Sequence, residues 1–125
     1  MILGMGIDLA EVHRIRESIE RFGDKFLHRV YTDREIAYSN SKANRFERFA
    51  ARFAAKEAAM KAIGTGWRQG VTWRDFEVVN DTAGKPTMIL HARAAEIAKE
   101  LGIRAILLSL THTESYGLAS VVAED

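Results

Sequence analysis

Residues 53–66 read FAAKEAAMKAIGTG and end a long helical pattern that begins near Arg45. At about 3.6 residues per turn, Phe46, Phe49, Ala50, Phe53 and Met60 share one apolar stripe, and Glu57 falls in its middle. A carboxylate inside an apolar seam is costly unless something pairs with it. The partner could be a cation, a metal or a set of donors. Lys61 lies one turn on, at the edge of the same face, at the i,i+4 spacing of an ion pair. Arg45, Arg52 and Lys56 form a second stripe beside the seam. One helix thus presents a near-buried acid and a row of cations, which together could hold a metal and phosphates. The plainer alternative is a surface ion pair worth a few tenths of a kcal/mol.

The residues before this helix predict a strand and smaller helices. From Met1 to Asp8, Leu3, Met5, Ile7 and Leu9 alternate with Ile2, Gly4, Gly6 and Asp8. The glycines leave room for close packing on their face, and Asp8 ends their row. Ala10 to Phe22 reads as a helix with Val12, Ile15, Ile19 and Phe22 as its core stripe, closed by Gly23. Lys25 to Tyr31 reads as a short helix or turn. Thr32 with Glu35 is a capping box that opens another short helix. Asn44 is placed to cap the long helix, which runs to about Ile63 and closes at Gly64.

After the helix the pattern turns to strands. Phe76–Val79 and Thr87–Leu90 flank the turn-rich NDTAGKP and predict a hairpin, with the only proline, Pro86, at the start of its second strand. Ala92 to Leu101 is an alanine-rich helix stopped by Gly102. Arg104–Leu110 and Leu118–Ala123 are apolar strands joined by THTESYG, again as a hairpin. The order β-α-α-β-β-α-β-β predicts a single α+β domain over residues 1–125, an antiparallel sheet with a long helix packed on it.

Composition narrows the function classes. A chain of 125 residues, 47% hydrophobic, suits one domain with a real core. No stretch approaches a membrane span, and the start lacks a basic region and a small-residue cleavage site, so neither membrane insertion nor secretion is expected. The absence of cysteine means no disulfide framework and suits a cytoplasmic protein. A net charge of +1 argues against a nucleic-acid partner. Walker A, Rossmann, zinc-ligand and nucleophile-elbow patterns are all absent.

Four candidates for chemistry remain. Asp8, at a strand end, is either a helix N-cap or half of a carboxylate pair with Glu57. Two hard carboxylates from separate elements are a typical protein share of a magnesium site, the rest coming from water and phosphates. Arg52, Lys56 and Lys61, with the loop Gly64, Thr65 and Gly66, could hold phosphates, the glycines admitting a ligand close to the backbone; the loop is otherwise a plain helix cap. Ser109, Thr111, His112 and Thr113 sit at a hairpin mouth, where hydroxyls and an imidazole can donate to phosphate or simply face solvent.

These residues resemble a known family. Gly6-Ile7-Asp8 followed by Arg14-Ile15 resembles the first signature of the holo-acyl-carrier-protein synthases. Phe53-Ala54-Ala55-Lys56-Glu57-Ala58 with Lys61 and Gly64 resembles their second, shared with the wider phosphopantetheinyl transferases, where Trp is common in place of Phe53. Ser109-Leu110-Thr111-His112-Thr113 resembles a third. The three stand in the family's order and spacing, and the resemblance spans essentially the whole chain.

The resemblance implies transfer of phosphopantetheine from coenzyme A to a serine of apo-acyl carrier protein, with adenosine 3',5'-bisphosphate as the other product. It implies Mg2+ held by Asp8 and Glu57. Lys61 would bind the pyrophosphate and offset charge as it breaks, while Arg52, Gly64–Gly66, His112 and Thr113 would hold the adenosine end and its phosphates. It implies a homotrimer with coenzyme A sites between subunits. Along the first helix, Arg14, Ser18 and Arg21 share an exposed stripe with Lys25 just beyond. That stripe could steer an acidic carrier protein, or be an ordinary solvated face given Glu17, Glu20 and Asp24. Rival readings are another magnesium-dependent phosphate transferase, a non-catalytic trimeric coenzyme A or nucleotide-binding regulator, and a small RNA-binding module.

Overall fold

Gly4 and Gly6 set how closely the long helix approaches the sheet. They lie on β1 (Ile2–Glu11), on the face crossed by α4 (Arg45–Ile63). A Cβ at Gly4 would run into the carbonyl oxygen of Ala62, and one at Gly6 into that of Ala58. Gly117 repeats the device against Ala50 and Ala51 from β5 (Tyr116–Glu124). With alanines along the helix and glycines along the strands, backbone packs on backbone.

The computed structural model describes residues 1–125. β5 is the central strand of an antiparallel sheet ordered β1-β5-β4, where β4 is Ala105–His112. β2 (Phe76–Asn80) and β3 (Pro86–Leu90) form the predicted hairpin, with Pro86 opposite Asn80. α5 (Ala92–Glu100) links β3 to β4. Between β1 and α4 come α1 (Val12–Phe22), α2 (Asp24–Val30) and α3 (Asp33–Asn40). The fold is α+β as predicted, its antiparallel pairing divided between two sheets. No helix is long and apolar enough to cross a membrane.

Three local expectations change. β1 continues past Asp8, because Leu9, Ala10 and Glu11 keep pairing with Leu118, Gly117 and Tyr116. Asp8 therefore sits within a strand and is not an N-cap. Phe22 is exposed beneath the Arg21 guanidinium and lies outside the core. The Asn44 side chain makes no backbone cap and accepts from Arg48 Nε instead. The Thr32–Glu35 capping box forms as read.

The largest correction is Lys56. Read as one of a row of phosphate-binding cations, it is fully buried. Its ammonium donates to Glu35 Oε1 at 2.7 Å, to the Trp73 carbonyl at 3.1 Å and to the Phe76 carbonyl. Glu35 also accepts from the Val78 N–H at 2.8 Å. Burial pulls the Lys56 pKa down, and the Glu35 charge opposes it. The helix is covered by the sheet on one side and by α3 and β2 on the other, so a single apolar stripe underestimates its buried surface. Lys56 fastens those layers and does not face a ligand.

Candidate active site

Asp8 shares the face of Gly4 and Gly6, and so projects toward the last turns of α4. The close approach of helix and strand lets a lysine stem cross between them. Lys61 Nζ donates to Asp8 Oδ1 at 3.2 Å and to the Ile7 carbonyl at 2.9 Å. The i,i+4 ion pair of Lys61 with Glu57 does not form, because these strand acceptors take the ammonium. Two of its three protons are engaged, and more than half of the side chain remains exposed.

Glu57 is half-buried, one turn before Lys61, at the edge of the helix's covered surface and not in the middle of a seam. Its Oε2 accepts from Trp67 Nε1 at 2.7 Å. Burial raises the Glu57 pKa and the nearby Asp8 charge raises it further, against the Trp67 hydrogen bond and the Lys61 charge. Two carboxylates from different elements thus lie near enough for the charge of one to act on the other. No group of three or more His, Cys, Asp or Glu gathers to hold a metal. The donor set is two hard oxygens, which fits magnesium completed by water and substrate phosphate.

The Gly64–Gly66 loop behaves first as a helix cap. Its three N–H groups return to the carbonyls of Met60 and Lys61, and the Thr65 hydroxyl donates to the Gly66 carbonyl. Gly64 and Gly66 hold φ of +80° and +55°, with open space beside both. The loop offers room next to Lys61; its amides are already occupied.

A second cluster lies elsewhere. Arg52 precedes Lys61 by about 13 Å along the helix axis. It is buried, its guanidinium 4.2 Å from the Tyr38 ring centre, with Nη2 donating to Asn80 Oδ1 at 3.3 Å and Nε left without a partner. His112 ends β4, its Nδ1 2.9 Å from Glu47 Oε1. Arg52 and His112 line one cavity of about 160 Å³ with Tyr38, Arg48, Gly84 and Pro86. Burial would raise the Tyr38 pKa, but the Asn80 hydrogen bond and the charges of Arg52, Arg48 and Lys42 bring it below the usual value. This is an electropositive recess. Thr113 is not among its lining residues; its Oγ1 accepts from the N–H groups of Ser115 and Tyr116 and shapes the hairpin turn.

The structure therefore gathers Asp8, Glu57 and Lys61 with the Gly64–Gly66 loop, gathers Arg52 with His112, and leaves the two groups apart. Trp67, Tyr38 and Arg48 carry no functional signal of their own in the sequence, and Asn80 with the Gly84–Pro86 loop reads there only as a hairpin turn. Arg48 was discoverable, one helical turn from Arg52. Trp67 was not, because its approach to Glu57 depends on two left-handed glycines.

On α1, Arg14 and Arg21 are exposed, as is Lys25 on α2; Arg14 Nε lies 3.4 Å from Glu11 Oε1. Arg14 stands over a groove of about 530 Å³ floored by Leu9, Ile15, Phe26, Phe53 and Tyr116. On the sheet face away from α4, Leu3, Met5, Ile7, Leu9 and Leu107 are exposed together.

The chain is similar to known proteins over its whole length. The family model of the 4'-phosphopantetheinyl transferase superfamily matches residues 4–119. The chain is 63% identical, over the full length of both, to the holo-[acyl-carrier-protein] synthase of Solibacter usitatus. It is similar to the crystal structure of that enzyme from Neisseria meningitidis, with a TM-score of 0.91 at 36% identity and full coverage of both chains. It is also similar to the Bacillus anthracis enzyme in complex with CoA (3',5'-ADP), with a TM-score of 0.79 at 37% identity, over 100% of this chain and 98% of that one.

Proposed function

We infer the reaction from one premise: the chain belongs to the 4'-phosphopantetheinyl transferase superfamily and, within it, to the holo-[acyl-carrier-protein] synthases. It transfers 4'-phosphopantetheine from coenzyme A to a serine of apo-acyl carrier protein, releasing adenosine 3',5'-bisphosphate, in service of fatty acid biosynthesis in the cytoplasm. The observation that carries the mechanism is the Asp8–Lys61–Glu57 cluster, where one exposed ammonium proton is left over beside two carboxylates.

Asp8 and Glu57 would hold Mg2+, which would neutralise and orient the pyrophosphate. The serine hydroxyl gives its proton to a water as its oxygen forms a bond to the phosphorus bearing the pantetheine arm. The bond from that phosphorus to the bridging oxygen breaks, and adenosine 3',5'-bisphosphate departs with the electron pair. Lys61 turns its free N–H toward the departing phosphate, where negative charge grows. Its anchors on Ile7 and Asp8 fix the ammonium before substrate arrives. The open space beside Gly64 and Gly66 admits the pyrophosphate next to it.

The recess of Arg52, Tyr38 and His112 takes the adenosine end with its phosphates. It lies too far along α4 to complete the Lys61 cluster by direct contact, which supports a site shared between copies of the chain. The exposed row of Leu3, Met5, Ile7, Leu9 and Leu107 supports the same reading, because such a patch is ordinarily covered. The assembly is a homotrimer, and sedimentation equilibrium tests it. Arg14, Arg21 and Lys25 receive the acidic carrier protein over the Phe26–Phe53 groove. Charge reversal at Arg14 and Arg21 should raise the carrier's KM and flatten its salt dependence, leaving that of coenzyme A alone.

Intact-mass measurement of apo-acyl carrier protein, incubated with the enzyme, coenzyme A and magnesium, tests the whole reading. The carrier should gain one phosphopantetheine. Tight coenzyme A binding with an unmodified carrier would instead mark a non-catalytic regulator.

A further inference from the structure

We propose that Trp67 is a positioning residue for Glu57, fixing which carboxylate oxygen is presented to a divalent cation. The inference rests on the magnesium reading above and goes beyond it. Each acid of the pair has one oxygen tied within the chain and one left over. Asp8 Oδ1 accepts from Lys61 and Glu57 Oε2 accepts from Trp67, which leaves Asp8 Oδ2 and Glu57 Oε1 without a side-chain donor. An indole N–H can only donate, so it holds a carboxylate in one orientation and never competes for the metal. With Oε2 held, Glu57 has one oxygen left to offer, as Asp8 has. That arrangement suits a small octahedral cation that keeps most of its sites for water and phosphate.

Trp67 comes into reach through local backbone chemistry. The left-handed turns at Gly64 and Gly66 fold the chain back over the helix end, returning Trp67 to a residue ten positions earlier. Its ring then stands edge-on to Trp73, with centroids 4.9 Å apart, and Trp73 in turn stacks on Phe53 of α4. The aromatic row ties the indole to the helix that carries Glu57. Trp67 is nonetheless 64% exposed, so burial alone does not account for its place. The hydrogen bond gives it one. Outer partners of metal ligands commonly affect metal affinity about 10- to 100-fold.

The test uses the full-length protein with saturating coenzyme A and measures Mn2+ affinity from the free-ion electron paramagnetic resonance signal. Trp67→Phe keeps a ring against Trp73 and removes the donor. It should raise the Mn2+ dissociation constant about tenfold or more. The melting temperature and, at saturating metal, the KM for coenzyme A should stay close to wild type. Trp73→Phe disturbs the brace and spares the donor, and should leave Mn2+ affinity within about twofold of wild type. Should Trp67→Phe fail to fold, benzothienylalanine at position 67 keeps the shape and lacks only the N–H. Wild-type Mn2+ affinity in a Trp67 variant, or equal losses in Trp67→Phe and Trp73→Phe, would overturn the proposal alone. Wild-type affinity in Glu57→Gln would overturn the metal reading and the proposal with it.

Discussion

α4 carries two lysines, Lys56 and Lys61, and each pairs with a carboxylate in opposite surroundings. Lys56 and Glu35 are wholly buried, and the ammonium is fully engaged by a carboxylate and two carbonyls. Lys61 and Asp8 sit at an open edge with donor and acceptor capacity to spare. Neither spacing nor residue type distinguishes the two lysines. What differs is whether the surroundings complete them. A completed pair contributes to structure, and an incomplete one is available for chemistry.

Breaking the closed pair should give the largest effect. Lys56→Met strips buried Glu35 of its cation, and should cost about 3–5 kcal/mol of stability, read from urea unfolding. Lys56→Met with Glu35→Gln should cost less than the sum of the single changes, since the two share one network. A Lys56→Met protein as stable as its parent would erase the distinction between the regions.

Breaking the open site should show in rate and not in stability. Asp8→Ala and Glu57→Ala should each lower magnesium-dependent transfer by roughly a hundredfold or more, with melting temperatures near the parent's. Near-normal turnover at low magnesium in both variants would sink the metal assignment.

The closed region should also govern tolerance to acid, a smaller effect. Burial alone would raise the Glu77 pKa, but hydrogen bonds from Arg34, Thr32 and His91 outweigh it and bring it to about 2. The folded state therefore favours the ionised form. This contribution is complete above an ordinary carboxylate's pKa near 4.5 and is lost as pH falls from there toward 2. Urea midpoints should drop across that window, and Glu77→Gln should flatten the drop. An unchanged slope in the variant would assign acid lability elsewhere.

The same contrast explains what could be read from sequence. The elements were legible because each has local punctuation: the Thr32–Glu35 box, the Gly64 cap, the Pro86 strand start. The close packing of α4 on β1 was foreshadowed by Gly4 and Gly6, whose missing side chains signal an approaching neighbour. Asp8, Glu57 and Lys61 were legible as a set by resemblance to a family. Their partners were not: the Lys61–Asp8 contact joins residues 53 apart in the chain, and Trp67 reaches Glu57 only through the left-handed turns at Gly64 and Gly66. Lys56 was misread because periodicity reports one covered face, whereas α4 is covered on two.

Lys61 gives the most direct test that an unfinished pair carries the chemistry. Lys61→Met removes the charge and keeps most of the stem. Turnover should be followed by the mass of the modified carrier, and coenzyme A affinity by calorimetry with magnesium present. The account predicts a fall in kcat of about two orders of magnitude with far less weakening of binding, because the ammonium acts most where charge grows in the transition state. Wild-type kcat with only a raised KM would contradict it, reducing Lys61 to a substrate anchor.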